Sequence, residues 1–145
     1  GLDREFSHAG NYDFLNASRG FVNNTGITMY VNTHPNTEAA RNFYPLDDDL
    51  AGYQKPPHRS QSEGGQAFAN RPDDFLTIHR MTGHPQMGYT THVYVRKVKD
   101  TETGGRVCDV NEPIEFDWNY GLGFVCDGIN PLGNVVKEPE LKAPF

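Results

Sequence analysis

Three histidines, His79, His84 and His92, fall within fourteen residues of one another. His79 and His92 flank the turn-prone run Thr82–Gly88, and His84 lies within it beside Gly83 and Pro85. Residues on the two sides of a hairpin loop come close, so three imidazoles placed this way could take a metal ion such as Zn or Cu. The competing reading is a set of surface or hydrogen-bonding histidines. Register decides between them, because a one-residue shift of a strand moves its side chains to the other face. No other cofactor is expected.

Carboxylates supply the second candidate. Glu115 and Asp117 are two apart in a strand-like run, which sets their Cα atoms about 6.5–7 Å apart on one face. That spacing suits a pair of acids or a cation site. The outward face of a half-buried strand is expected to be polar, and that ordinary account covers both residues. Asp47-Asp48-Asp49 lacks the alternating ligands and glycine of a calcium loop and reads as a solvated turn. Nucleophile motifs are missing: there is no Gly-x-Ser-x-Gly, no Ser-x-x-Lys and no His-Glu-x-x-His. No phosphate-binding glycine loop follows a strand.

The words Gly83-His84-Pro85-Gln86-Met87 resemble the His-and-Met ligand loop of cupredoxins over those few residues. Neither cysteine lies near them, and 58 residues follow Met87, whereas that family's loop sits close to the C-terminus. A copper site of that kind is set aside.

The elements that would position these groups are read from periodicity. From Ile114 to Cys126 every even position is apolar or aromatic: Ile114, Phe116, Trp118, Tyr120, Leu122, Phe124 and Cys126. Side chains alternate across a strand, so this run predicts one wall of large apolar groups. As a single strand it would be far longer than the usual five or six residues. Gly121 and Gly123 predict a break into segments 113–120 and 122–127. Phe75–Met81 and Tyr89–Val98 read as two further strands, the second with His92, Tyr94 and Arg96 on its polar face. Gly20–Thr33 reads as a hairpin or bulged strand around Asn23-Asn24-Thr25-Gly26. Thr37–Phe43 could form a short helix, and residues 34–73 otherwise read as one long loop.

The fold class expected is all-β, an antiparallel β-sandwich or jelly-roll-like barrel with long irregular loops and extended N- and C-terminal arms. Residues 1–19 are the arm, 20–136 one β domain and 137–145 the tail. At 145 residues the chain suits a single domain. Its 15 Gly and 10 Pro favour turns over long helices. Its 9 Phe, 7 Tyr and 1 Trp argue against a disordered chain.

The formal net charge of -6 argues against nucleic acid as a partner. No apolar run is long enough to span a membrane. Cys108 and Cys126 are a candidate disulfide, with two buried thiols as the alternative. Asn16-Ala17-Ser18 and Asn23-Asn24-Thr25 fit the glycosylation acceptor pattern. The chain starts at Gly1 rather than Met, which leads us to expect a removed leader, propeptide or tag.

These observations favour a non-enzymatic structural or interaction subunit of a larger assembly, for example a virion or an extracellular complex. Its partners would be other protein subunits. Its contact patch would comprise Phe6, Tyr12, Phe14, Tyr94 and Arg96. The alternatives are a secreted carbohydrate- or small-ligand-binding β-sandwich module and a His-based metal-binding protein.

Overall fold

The computed structural model describes residues 8–100, 102, 105–109, 111–119 and 123–131. Phe6, Tyr120 and the 137–145 tail lie outside these residues. The fold is mixed α/β, which corrects the all-β sandwich or jelly-roll expectation. It contains helix α1 (His8–Thr25), helix α2 (Gln66–Asn70) and strands β1 (Phe75–His79), β2 (Thr90–Lys97), β3 (Ile114–Asn119) and β4 (Gly123–Val125). The strands form one open four-stranded sheet in the order β1-β2-β3-β4, not a closed barrel.

Two compact units emerge, with the boundary falling within β1 and within β2. The first takes residues up to Thr77 together with Val95–Val107. The second takes Ile78–Tyr94 together with residues from Cys108 onward.

Helix α1 occupies a stretch expected to be an arm running into a strand. Its pattern is unusual. Leu15 is its one buried apolar residue, whereas Phe14 and Phe21 are exposed. The half-buried positions include Asn11, Tyr12, Ser18 and Arg19. The inward face thus mixes Tyr12, Leu15 and Val22 with Asn11, Ser18 and Arg19, and the polar residues together with exposed Phe14 and Phe21 obscure the apolar stripe that periodicity would register. Gly26 ends the helix with φ +71, its N–H donating to the Val22 carbonyl at 2.8 Å. The positive φ expected near this glycine is present, but it closes a helix instead of turning a hairpin. Residues 27–34 then run without helix, turn or bend.

The long loop is cross-braced by its own backbone. His34 and Asn36 pair with Glu63 and Gln61 at 2.7 Å each. Further along, Tyr44 N–H donates to the Tyr53 carbonyl at 2.9 Å and Lys55 N–H to that of Asn42 at 2.8 Å. Asn36 Oδ1 accepts from the N–H groups of Glu38 and Ala39, both at 3.1 Å, and opens a 3-10 turn at Ala39–Arg41. Asn36, two residues before the Glu38 N-cap, thus braces the start of this turn, and the Glu38 side chain makes no capping bond. His58 caps a second such turn, Arg59–Gln61: its Nδ1 accepts from Ser60 N–H, and its own N–H donates to Gln61 Oε1.

Among its described residues, the first unit buries few side chains. Ala39, Ala67 and Ala69 are buried beside Leu15, together with the polar Gln61, Ser62 and Thr77. Polar ties supplement this packing. Asn11 Nδ2 donates to the Gly64 carbonyl at 3.0 Å, and Thr77 Oγ1 donates to that of Pro57 at 3.1 Å. Lys97 Nζ reaches the carbonyls of Asn70 and Pro72 at 2.7 and 2.6 Å. Asp73 bridges Arg19 at 3.3 Å and Lys99 at 3.1 Å.

In the second unit the expected break in the apolar run is a reversal. β3 and β4 pair antiparallel, with Trp118 opposite Phe124 and Asn119 opposite Gly123. Cys108 and Cys126 are not disulfide-bonded, which corrects that expectation. Cys126 instead pairs through its backbone with Ile129, each N–H donating to the other's carbonyl at 2.9 Å.

Candidate interaction surface

The register between β2 and β3 sets Thr90 opposite Asp117, Thr91 opposite Phe116, His92 opposite Glu115 and Val93 opposite Ile114. Directly opposed residues share a face of the sheet. One face therefore carries Thr90, His92, Glu115 and Asp117. The other carries Thr91, Val93, Ile114 and Phe116, and β4 extends it with Trp118 beside Phe124.

The polar face contains the groups that looked able to do chemistry. Thr90 Oγ1 donates to Asp117 Oδ1 at 2.8 Å, so that carboxylate serves a cross-strand bond. His92 is buried, and its Nε2 lies 3.4 Å from Glu115 Oε1. The distance suits an ion pair, but neither ring nitrogen makes a hydrogen bond. The edge of its ring meets Tyr94, with centroids 6.2 Å apart. Each carboxylate thus faces its own cross-strand partner, Glu115 the His92 ring and Asp117 the Thr90 hydroxyl.

The three histidines do not assemble. His84 sits in the loop after β1 and uses its Nδ1 locally, accepting from the N–H groups of Gln86 at 3.2 Å and Met87 at 3.0 Å. His79 is half-buried at the end of β1. Among the described residues, no three His, Cys, Asp or Glu side chains group so as to hold a metal ion.

The described residues of the expected contact patch differ in exposure. Tyr12 on α1 is half-buried under the Arg71 guanidinium, 5.2 Å from the ring centroid. Phe14 on the same helix is exposed. Tyr94, expected on an open face, is buried, and Arg96 is half-buried. Asn16 and Asn23 are both exposed on α1. Among the described residues no helix is long and apolar enough to cross a membrane.

The apolar face is the feature that packing leaves open. The Trp118 and Phe124 rings meet edge to face, with centroids 5.2 Å apart. Yet Ile114, Trp118 and Phe124 remain 40%, 37% and 44% exposed. The sequence pattern correctly identified residues that share a face and assigned them to the core. No described element covers that face well enough to bury them. Single exposed apolar residues are ordinary; here Ile114, Trp118 and Phe124 lie on one cross-strand face.

No protein-family model, curated protein or solved structure matches this chain.

Proposed function

We propose that this chain is a non-enzymatic structural or interaction subunit of a larger assembly, such as a virion or an extracellular complex. The observation that carries the reading is the half-open apolar sheet face of Ile114, Trp118 and Phe124. Aromatic residues dominate the energetics of protein contacts, and an interface hot spot forms where such a ring becomes fully desolvated. The partner that fits this face is another protein subunit with an apolar surface of its own. That few side chains are buried among the described residues supports the same reading, because a subunit completed by its neighbours needs less interior of its own. The exposed acceptor asparagines Asn16 and Asn23 are in keeping with an extracellular or virion setting.

Size-exclusion chromatography with light scattering tests this reading. The full chain is expected to rise in mass with concentration, and Trp118→Ser combined with Phe124→Ser to hold it at the single-chain mass. A wild-type chain that stays monomeric at the highest concentration reached would overturn the proposal.

The part-open Trp118 ring also favours one second reading, a secreted carbohydrate-binding module that stacks a sugar on the indole. Binding to a glycan array that is lost in Trp118→Ala would support it.

A further inference from the structure

The segment Ile27–Val31 is rich in strand-forming residues and, among the described residues, pairs with no strand. Its sequence, Ile-Thr-Met-Tyr-Val, consists of residues that favour strands, apart from the flexible Met29. The run from Ile27 to Thr33 contains no charge, no proline and no glycine. Residues 27–34 run without a turn or a bend. Among the described residues, Ile27–Asn32 nevertheless makes no hydrogen bond through backbone or side chain. Ile27, Met29, Tyr30 and Val31 are 47%, 42%, 85% and 40% exposed.

Natural chains rarely leave local propensity and tertiary pairing in conflict, and the exceptions cluster at functional sites. An uncharged run of this kind is also an aggregation hazard while its backbone stays open. Such a segment calls for a ladder supplied from outside.

The chain itself offers a matching acceptor. β1 is an outer strand of the sheet. It is five residues long, as is Ile27–Val31. Among the described residues, no backbone hydrogen bond outside the sheet ladder involves Phe75–Ile78. Leu76 and Ile78 project from it 51% and 71% exposed. The devices that usually protect an edge, a lysine, a proline or a very short strand, are missing from Phe75-Leu76-Thr77-Ile78-His79.

We propose that Ile27–Val31 is a donor strand that pairs with the open β1 edge of a second copy of this chain. This rests on the assembly reading above and supplies a joint for it. The affinity comes from backbone hydrogen bonds, as in other cases of strand addition, and the side chains of Leu76 and Ile78 gain apolar neighbours. Donor and acceptor are different surfaces, so the contact is head-to-tail unless two copies exchange strands reciprocally.

Met29→Pro is the direct test. Proline removes one N–H and is excluded from paired strand interiors. The monomer makes no hydrogen bond at this position, so its circular dichroism and melting temperature should not move. Association measured by light scattering should weaken at least about tenfold. Tyr30→Ser, which keeps the backbone donor, should weaken it less. Ile78→Lys, a charge placed on the acceptor edge, should act like Met29→Pro. In the wild-type oligomer the amides of Ile27–Val31 should exchange with solvent more slowly than in the monomer. Undiminished association in Met29→Pro would overturn strand addition and leave the assembly reading standing. A wild-type chain that never associates would overturn both.

Discussion

His92 and Glu115 face each other across β2 and β3, the imidazole 3% exposed and the carboxylate side chain 59% exposed. The buried partner has two ring nitrogens and no hydrogen bond to either. The pair is thus lopsided, with a polar ring inside and a carboxylate largely in water. Leaving a buried polar group unmatched costs about 1–3 kcal/mol, whereas replacing it with an apolar group of similar shape is nearly neutral. His92→Phe is therefore expected to match or exceed wild-type stability in urea. Glu115→Ala, which removes a largely exposed carboxylate that makes no hydrogen bond to the ring, should change it little.

Gly64 and Gly52 separate backbone strain from packing. Both have positive φ, +89 and +83. A Cβ at Gly52 would meet nothing within 4 Å, whereas one at Gly64 would lie 2.6 Å from Phe68 Cε2. Gly52→Ala should cost about 1 kcal/mol for the left-handed conformation alone. Gly64→Ala should cost a further 1–3 kcal/mol or so from overpacking. Urea midpoints of the two variants provide the comparison.

His84 is assigned a turn-holding role, since its Nδ1 accepts two backbone N–H groups. His84→Ala is expected to lower the melting temperature by an amount equivalent to about 1 kcal/mol. His84→Asn should recover part of it, because an asparagine oxygen accepts from the backbone two residues on. Equal losses in both variants would show that the ring acts in some other way.

Tyr44 and Lys97 set opposed slopes at alkaline pH. Burial, assisted by Asp48 and opposed by Arg96, holds the Tyr44 phenol above its usual 10.0. Burial, with Arg59, Arg19 and Lys99 adding to it and Asp73 opposing, holds the Lys97 ammonium below its usual 10.5. Just above pH 10.0 the folded chain therefore keeps a proton that the unfolded chain loses from Tyr44, and stability falls as pH rises. Just below pH 10.5 the folded chain binds less proton at Lys97 than the unfolded chain, and stability rises with pH. Tyr44→Phe should remove the first slope and retain the second. Urea midpoints across roughly pH 8 to 11 would reveal it.

The alternation from Ile114 to Phe124 was legible, because period two is a direct consequence of strand geometry. What it could not convey was cover. Periodicity says which residues share a face, and only tertiary packing says whether anything lies over it. Helix α1 was illegible for the converse reason. Its half-buried side includes Asn11, Ser18 and Arg19, its exposed side includes Phe14 and Phe21, and Gly20 lies in its interior. Gly26 was readable as a left-handed position, but such a glycine closes a helix as readily as it turns a hairpin. For β2, hydropathy favours Thr91 and Val93 as the inward face. The structure buries His92 and Tyr94 instead.

Each strand of the sheet lies beside its neighbour in the chain, in the order β1-β2-β3-β4. Ladders between consecutive strands close short stretches of chain and lose little loop entropy. Topologies rich in such nearby pairings fold quickly for their size. The sheet can therefore form in a single chain before any second chain arrives. Under the proposed strand addition, unimolecular folding and concentration-dependent joining would be separate kinetic phases, and only the second would slow on dilution.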